Sequence, residues 1–240
     1  MVRLYEWAGQ TNWGDRLSPY LLEHYAGVET TWSPAAKADL ICTGSVVGHV
    51  PDSWSGHILG SGKLFEYDKI PPDAHIWALR GKLSARGVRG TYALGDPGLL
   101  ADELVPAPVK RHKLGILPHW SDRELTKRTE WDKYAPLRIN PTWEPLSVIS
   151  AIGSCDKLVT SSLHGLIVAD AFGIPRRFEA AKQLAREGGF FKHKDYSSSI
   201  GAAFEVGVTM NVSRFKVNDC RDALIDAFEN YGTYVRSIGA

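Results

Sequence analysis

The sequence predicts an α/β protein made of two Rossmann-like halves with parallel sheets, and three observations carry that expectation. Short apolar runs alternate with helical patterns over nearly the whole chain, as βαβ units require. Polar, glycine-bearing turns follow those runs, at the strand ends where open parallel sheets hold ligands. The proline- and base-rich stretch Val105-Pro-Ala-Pro-Val-Lys-Arg-His112 interrupts the alternation, and the pattern restarts after it. The expected halves are therefore 1–107 and 108–240, with the active site in the cleft between them.

In the first half, Val2–Trp7 reads as a strand, followed by a polar turn and a helix from about Arg16 to Tyr25. Asp39–Thr43 is a buried strand running into Gly44-Ser45. His57–Gly60 and His75–Leu79 are further strands, and Tyr92–Leu94 leads into Gly95-Asp-Pro-Gly98 and a short helix. In the second half, Lys113–Leu117 reads as a strand, Asp122–Lys133 as a polar helix and Pro136–Ile139 as another strand. Pro145–Ile152 is a helix, 157–161 a strand, and the helix carrying His164 is stopped by Gly173 and Pro175. Arg176–Glu179 is the expected last strand. The span 218–234 is amphipathic, with Ala223, Leu224, Ala227, Phe228 and Tyr231 on one face, and is expected to pack back on the first half.

Bulk properties narrow the function. Of 240 residues, 44% are hydrophobic and 23% charged, which is ordinary for a globular protein. A net charge of +1 provides no global field to recruit nucleic acid or an anionic membrane. The cysteines, Cys42, Cys155 and Cys220, are odd in number and lack metal-ligand spacing, so a reducing cytoplasm is expected, without disulfides or a zinc site. No apolar run is long enough to span a bilayer, and no stable membrane insertion is expected.

The most informative stretch is Lys157–Pro175. A short apolar strand meets Thr160-Ser-Ser-Leu-His-Gly165 and then a buried helical run. Ser161 or Ser162 caps the helix, so its first N–H groups face whatever lies above the strand end, an arrangement that holds anions. His164 falls in the first turn, beside such an anion. An ordinary cap with a half-buried histidine has the same local signature.

Other turns add to this. Asn12-Trp-Gly-Asp15 offers an amide, an indole and a carboxylate around a glycine, although Asp15 also suits a helix cap. Gly44-Ser45 and Gly60-Ser-Gly-Lys63 present backbone N–H groups. A nucleotide-triphosphatase loop is excluded, because His57 stands where its upstream glycine belongs. Arg80-Gly-Lys-Leu-Ser-Ala-Arg-Gly-Val-Arg89 clusters cations after a strand, for a carboxylate or phosphate or as a solvated helix face. Asp96 sits in a rigid turn, where it accepts hydroxyl hydrogens or caps the next helix. Gly115-Ile-Leu-Pro-His-Trp-Ser-Asp122 places His119, Trp120 and Asp122 together, a set suited to a sugar ring.

Taken in order, Asn12-Trp-Gly-Asp15, Gly60-Ser-Gly62, Arg80-Gly-Lys-Leu-Ser84, Ala93-Leu-Gly-Asp-Pro97, Ile116-Leu-Pro-His119 and Thr160-Ser-Ser-Leu-His-Gly165 resemble the polysaccharide pyruvyl transferase family over roughly 10–175. The resemblance implies a GT-B-like fold and transfer of a pyruvyl group from phosphoenolpyruvate to two sugar hydroxyls, giving a cyclic ketal, with no cofactor or metal. It places the family's motif histidine on His164 as the acid, with Asp15 and Asp96 as candidate bases. Many members carry an arginine where this chain has Ser162; a branch resembling bacterial exopolysaccharide enzymes shares the Ser-Ser-Leu-His-Gly motif. Donor binding then falls to Arg80, Lys82, Arg86 or another cation, with Ser161, Ser162, Gly165, Gly60, Ser61 and Gly62. Acceptor binding falls to Asn12, Trp13, His119, Trp120 and Asp122. A nucleotide-sugar glycosyltransferase and a non-catalytic carbohydrate-binding protein on the same fold are the alternatives, separated by which donor binds. Oligomeric state is left open.

Overall fold

The first strands form where β-prone apolar runs end in glycine turns. In the computed structural model, which describes residues 1–122, 124–181 and 188–239, they are β1 (Val2–Tyr5), β2 (Thr30–Trp32), β3 (Leu40–Ile41), β4 (His57–Leu59), β5 (His75–Leu79) and β6 (Ala93–Leu94). They pair in the order β2-β1-β3-β4-β5-β6, every neighbouring pair parallel. The second sheet contains β7 (Gly115–Leu117), β8 (Leu137–Arg138), β9 (Leu158–Thr160), β10 (Arg176–Phe178) and β11 (Thr209–Met210), in the order β11-β10-β9-β7-β8. It is parallel except for the antiparallel β10–β11 pair. Two parallel-dominated sheets flanked by helices are the α/β arrangement of two Rossmann-like halves.

Among the described residues the α-helices are α1 (Ser18–Leu21), α2 (Pro145–Gly153), α3 (Leu163–Ala171), α4 (Phe191–Ser199) and α5 (Arg214–Ser237). All nine residues of α3 are buried, as expected of a helix that is hydrophobic all round. The apolar core is continuous across both sheets: it joins Leu21, Leu40, Leu59 and Leu99 to Ile149, Ile167, Leu224 and Phe228. The long α5 lies against the first half. Its Arg221 guanidinium donates to the Leu99 carbonyl and to Asp102 and Glu103, and Arg236 Nη1 donates to the Ala26 carbonyl at 3.1 Å.

Two sequence expectations change. The polar helix over 122–133, of which residue 123 lies outside the described residues, is instead two short 3-10 turns, Leu125–Lys127 and Asp132–Tyr134. Asp122 Oδ1 accepts from the N–H groups of Glu124 and Leu125, making a turn, and the Arg138 guanidinium takes the Thr126 and Arg128 carbonyls. The cationic stretch 80–89 is a run of turns, not a helix face. Its geometry is set by a partner over one hundred residues away, described below.

Candidate active site

The loops after β1, β3 and β4 face those after β7 and β9 across a cleft of about 750 Å³, its open mouth included. The first half contributes Trp7, Asn12, Asp15, Ser45 and His49. The second half contributes His119, Trp120, Ser162, Leu163 and His164, with Lys192 from α4.

His164 occupies the first turn of α3 and is 5% exposed. Ser162 caps that helix, its hydroxyl accepting from Gly165 N at 3.3 Å, while Thr160 Oγ1 accepts from Ser162 N at 3.0 Å. The N–H groups of Leu163 and His164, at the first turn, have no carbonyl four residues back within the helix. The His164 side chain presses against Gly14: a Cβ there would stand 2.0 Å from Nδ1 and 2.4 Å from Cγ. Gly14 has φ −69° and ψ −39°, which any residue adopts, so glycine is needed for space rather than for conformation. His164 Nε2 is buried without a hydrogen-bond partner. Burial first, then the positive charges of Lys192 and Arg80, lower its pKa to about 3, which favours the neutral ring.

Asp15 lies across from it. Asn12 Nδ2 donates to Asp15 Oδ2 at 2.6 Å. Burial raises the Asp15 pKa to about 6 against the opposing pull of Asn12 and Lys192. Nearby Glu6 is pushed to about 7, chiefly by burial and then by Asp15. His119 is lowered to about 3 by burial, Lys192 and His164, and its Nδ1 lies 2.8 Å from Ser121 Oγ. At the mouth, Trp7 and Trp120 come from opposite halves and meet with ring centroids 5.3 Å apart. Trp7 had no signal in the sequence beyond its place at the end of the first apolar run.

Several expected site residues lie elsewhere. Arg80 is fully buried, its Nε donating to Asp195 at 2.9 Å and its Nη1 to Ser45 Oγ at 2.5 Å. Lys82 and Arg86 are exposed, and Arg86 pairs with Glu66. The guanidinium at 80 is thus already paired with a carboxylate, and the side chains at 82 and 86 lie on the exposed surface. Gly60 packs on Pro97 and Gly62 on the Arg80 guanidinium, while Ser61 Oγ donates to the Gly44 carbonyl at 3.0 Å; this turn is scaffold. Ser161 Oγ accepts from His119 N at 2.9 Å and ties the ends of β9 and β7 together. Gly165 packs on Thr160 Oγ1.

Asp96 is fully buried outside the cleft and accepts from Gly98 N at 2.9 Å, so it caps the 3-10 stretch Pro97–Leu104. Trp13 has no exposed surface and meets the His164 ring edge-on at 6.1 Å, as packing rather than an acceptor platform. Asp122 caps its own turn. The cleft thus brings together Asn12, Asp15, His119, Trp120, Ser162 and His164 from the expected set, and adds Trp7 and Lys192.

Comparison with known proteins returns one consistent picture. The family model described as polysaccharide pyruvyl transferase matches residues 11–178. The chain is 28% identical over 221 residues to an uncharacterised protein of Acanthamoeba polyphaga mimivirus, covering 83% of this chain and 75% of that protein. It is also 28% identical over 247 residues to the succinoglycan biosynthesis protein ExoV of Rhizobium meliloti, covering 96% of this chain and 73% of ExoV. The matched span contains both Asp15 and His164. Lys192 lies beyond its end.

Proposed function

Because the chain belongs to the polysaccharide pyruvyl transferase family, we propose that it moves the pyruvyl group of phosphoenolpyruvate onto two hydroxyls of a sugar in a glycan, closing a pyruvate ketal. The observation that carries this reading is the imidazole of His164, its Nε2 buried without a hydrogen-bond partner, in the first turn of α3 and in a cleft that Asp15 and Lys192 also line.

The chemistry needs a proton at the methylene carbon of the donor, which makes C2 electrophilic. A first acceptor hydroxyl then adds to C2, the C2–O bond to phosphate breaks, and a second hydroxyl closes the ketal. Of the two hydroxyl protons, one replaces the proton given to the methylene carbon and the other leaves with phosphate. His164 is the acid in this scheme. Burial and Lys192 favour its neutral form, and an arriving polyanion opposes both effects, so donor binding loads the proton. Asp15, with a pKa of about 6, is a stronger base than an ordinary carboxylate and takes a hydroxyl proton. Trp7 and Trp120 supply apolar faces for the sugar, with Asn12 and His119 as polar contacts.

Proton uptake on donor binding is the expected signature. An anion in the cleft raises the pKa of His164 from about 3, so a donor complex in which His164 carries the proton holds more protons than the free state. Affinity therefore rises as pH falls toward 7. Below about 6 the donor's own phosphate begins to take a proton and the trend blurs. Calorimetry at pH 7.5 in two buffers of different ionisation heat should show net uptake for phosphoenolpyruvate. Zero uptake or release contradicts the loading of His164. Binding of a nucleotide sugar in place of phosphoenolpyruvate overturns the donor assignment itself.

A further inference from the structure

We infer that His49 is a second proton carrier of the cleft: it hands a proton to the bridging oxygen of the departing phosphate and takes one from the second sugar hydroxyl, with Tyr5 as the residue that positions it. The inference rests on the reading of the cleft as a pyruvyl-transfer site and names the group that serves its leaving phosphate.

The proton balance of that reaction leaves one carrier unnamed. His164 forms the new C–H bond at the methylene carbon, and the first hydroxyl loses its proton to Asp15 as its oxygen bonds to C2. C2 then holds the phosphate through the bridging oxygen. When that C–O bond breaks, the electron pair stays on the oxygen. A phosphate that is already doubly charged leaves poorly unless a proton arrives there, and a positioned acid supplies it. The second hydroxyl then closes the ketal and returns a proton to the same acid, while the proton on Asp15 restores His164. Two hydroxyl protons enter, one ends on the methyl group and the other on phosphate, and no further reactant is needed.

Among the described residues that line the cleft, the imidazoles are His49, His119 and His164. His164 has its task at carbon. His119 Nδ1 lies 2.8 Å from Ser121 Oγ, and the positive charges of Lys192 and His164 act against its protonation. His49 differs from both. It ends the short 3-10 turn Val47–His49 after β3, on the wall of the cleft that also carries Asp15. Its Nδ1 lies 2.8 Å from the Tyr5 hydroxyl at the end of β1, and the two rings meet edge-on with centroids 5.8 Å apart. An imidazole oriented by a third group is the usual build of a catalytic acid or base. With Nδ1 so held, Nε2 is the nitrogen left for a ligand, and it makes no hydrogen bond to a described residue.

The surroundings of His49 suit an acid that must be recharged. Gly48 runs so close to Asp68 that a Cβ would lie 2.8 Å from the carboxyl carbon. That carboxylate is fixed in place, its Oδ2 accepting from Leu64 N and Phe65 N at 2.9 Å each. Burial lowers the His49 pKa and the charge of Asp68 opposes it. Of the three imidazoles, His49 is thus the one beside a carboxylate, whereas cations act on the other two. The charge of Asp15 reaches Tyr5 as well, so the phenol stands within the field of one proton carrier and holds the other.

The test is steady-state phosphate release from phosphoenolpyruvate, with a panel of methyl hexopyranosides and oligosaccharides as acceptors, beside donor binding by calorimetry and a thermal melt. The intact wild-type chain is compared with His49→Gln, His49→Ala, Tyr5→Phe and the exposed control Lys37→Met. Both His49 variants should lose about 10²- to 10⁴-fold in kcat, the usual contribution of a positioned acid, and still bind the donor; having two guards against one that fails to fold. Because His49 is exposed, free imidazole can enter the space left in His49→Ala and should restore part of the turnover, which a purely structural role would not allow. Tyr5→Phe should lower kcat several-fold with KM for phosphoenolpyruvate unchanged, and Lys37→Met should behave as wild type. Unchanged turnover in the His49 variants, or a loss that imidazole does not reverse, overturns the inference and leaves the pyruvyl-transfer reading intact. A wild-type chain that releases no phosphate with any acceptor overturns that reading first, and the inference with it.

Discussion

His164→Gln should lower turnover by at least about 10²- to 10⁴-fold, the usual contribution of a positioned acid, with little change in melting temperature. Glutamine keeps the side chain polar and similar in length but has no titrating nitrogen. The fold should tolerate the change because His164 Nε2 has no hydrogen-bond partner to lose, and an unpartnered buried nitrogen contributes no stability of its own. Steady-state phosphate release and a thermal melt, run side by side, check both halves of the expectation. Retained turnover removes His164 from the mechanism. A collapsed melt with it would mean that the ring serves the fold instead.

Gly14→Ala should be nearly as damaging, although alanine at that position meets no backbone penalty, since its φ and ψ are ordinary helical values. The added methyl would stand 2.0 Å from His164 Nδ1, so the imidazole must turn away. Displacing a catalytic group by about 1 Å costs on the order of 10²-fold in rate, and overpacking costs about 1–3 kcal/mol in stability. A double-mutant cycle separates this from a general defect. In the His164→Ser background the two nearest clash partners, Nδ1 and Cγ, are gone and only the Cβ at 2.8 Å remains, so the stability penalty of Gly14→Ala should fall, as coupling between touching residues requires. Equal penalties in both backgrounds would mean that Gly14 does not serve the imidazole.

The parts of this fold that could be read in the sequence are those where one local rule dominates. Apolar runs ending in polar or glycine-bearing turns marked β1, β3, β4, β5, β7 and β9. The capped Ser162–Gly165 turn marked the start of α3, with His164 beside it. The helix α4 escaped for a physical reason. Its residues Phe-Lys-His-Lys-Asp-Tyr-Ser-Ser-Ser have no apolar period, because buried polar side chains fill its inner faces: Lys192, His193, Asp195 and Ser197 are all buried. The edge strands β2 and β11 are too short and too exposed to alternate clearly.

The candidate site divides in the same way. His119 and His164 lie within four residues of a strand end and Asp15 lies in the first turn after β1, so their place in a strand-to-helix connection located them. Arg80 had the same signal, but its partner Asp195 lies 115 residues on, and nothing local distinguishes a cation that binds a ligand from one that binds a helix. Trp13 and Asp122 sit beside true lining residues and point into packing and into a turn. Neighbourhood in sequence could not separate them.

The most direct measurement of the central claim is the fate of phosphoenolpyruvate incubated with this chain and a candidate glycan acceptor, followed by proton and phosphorus nuclear magnetic resonance. The account predicts that inorganic phosphate appears in step with a new methyl singlet on the glycan, one methyl per phosphate, and that both vanish in His164→Gln. Phosphate release without a glycan-borne methyl group, or an unchanged donor across a broad panel of acceptors while a nucleotide sugar is consumed, would contradict it.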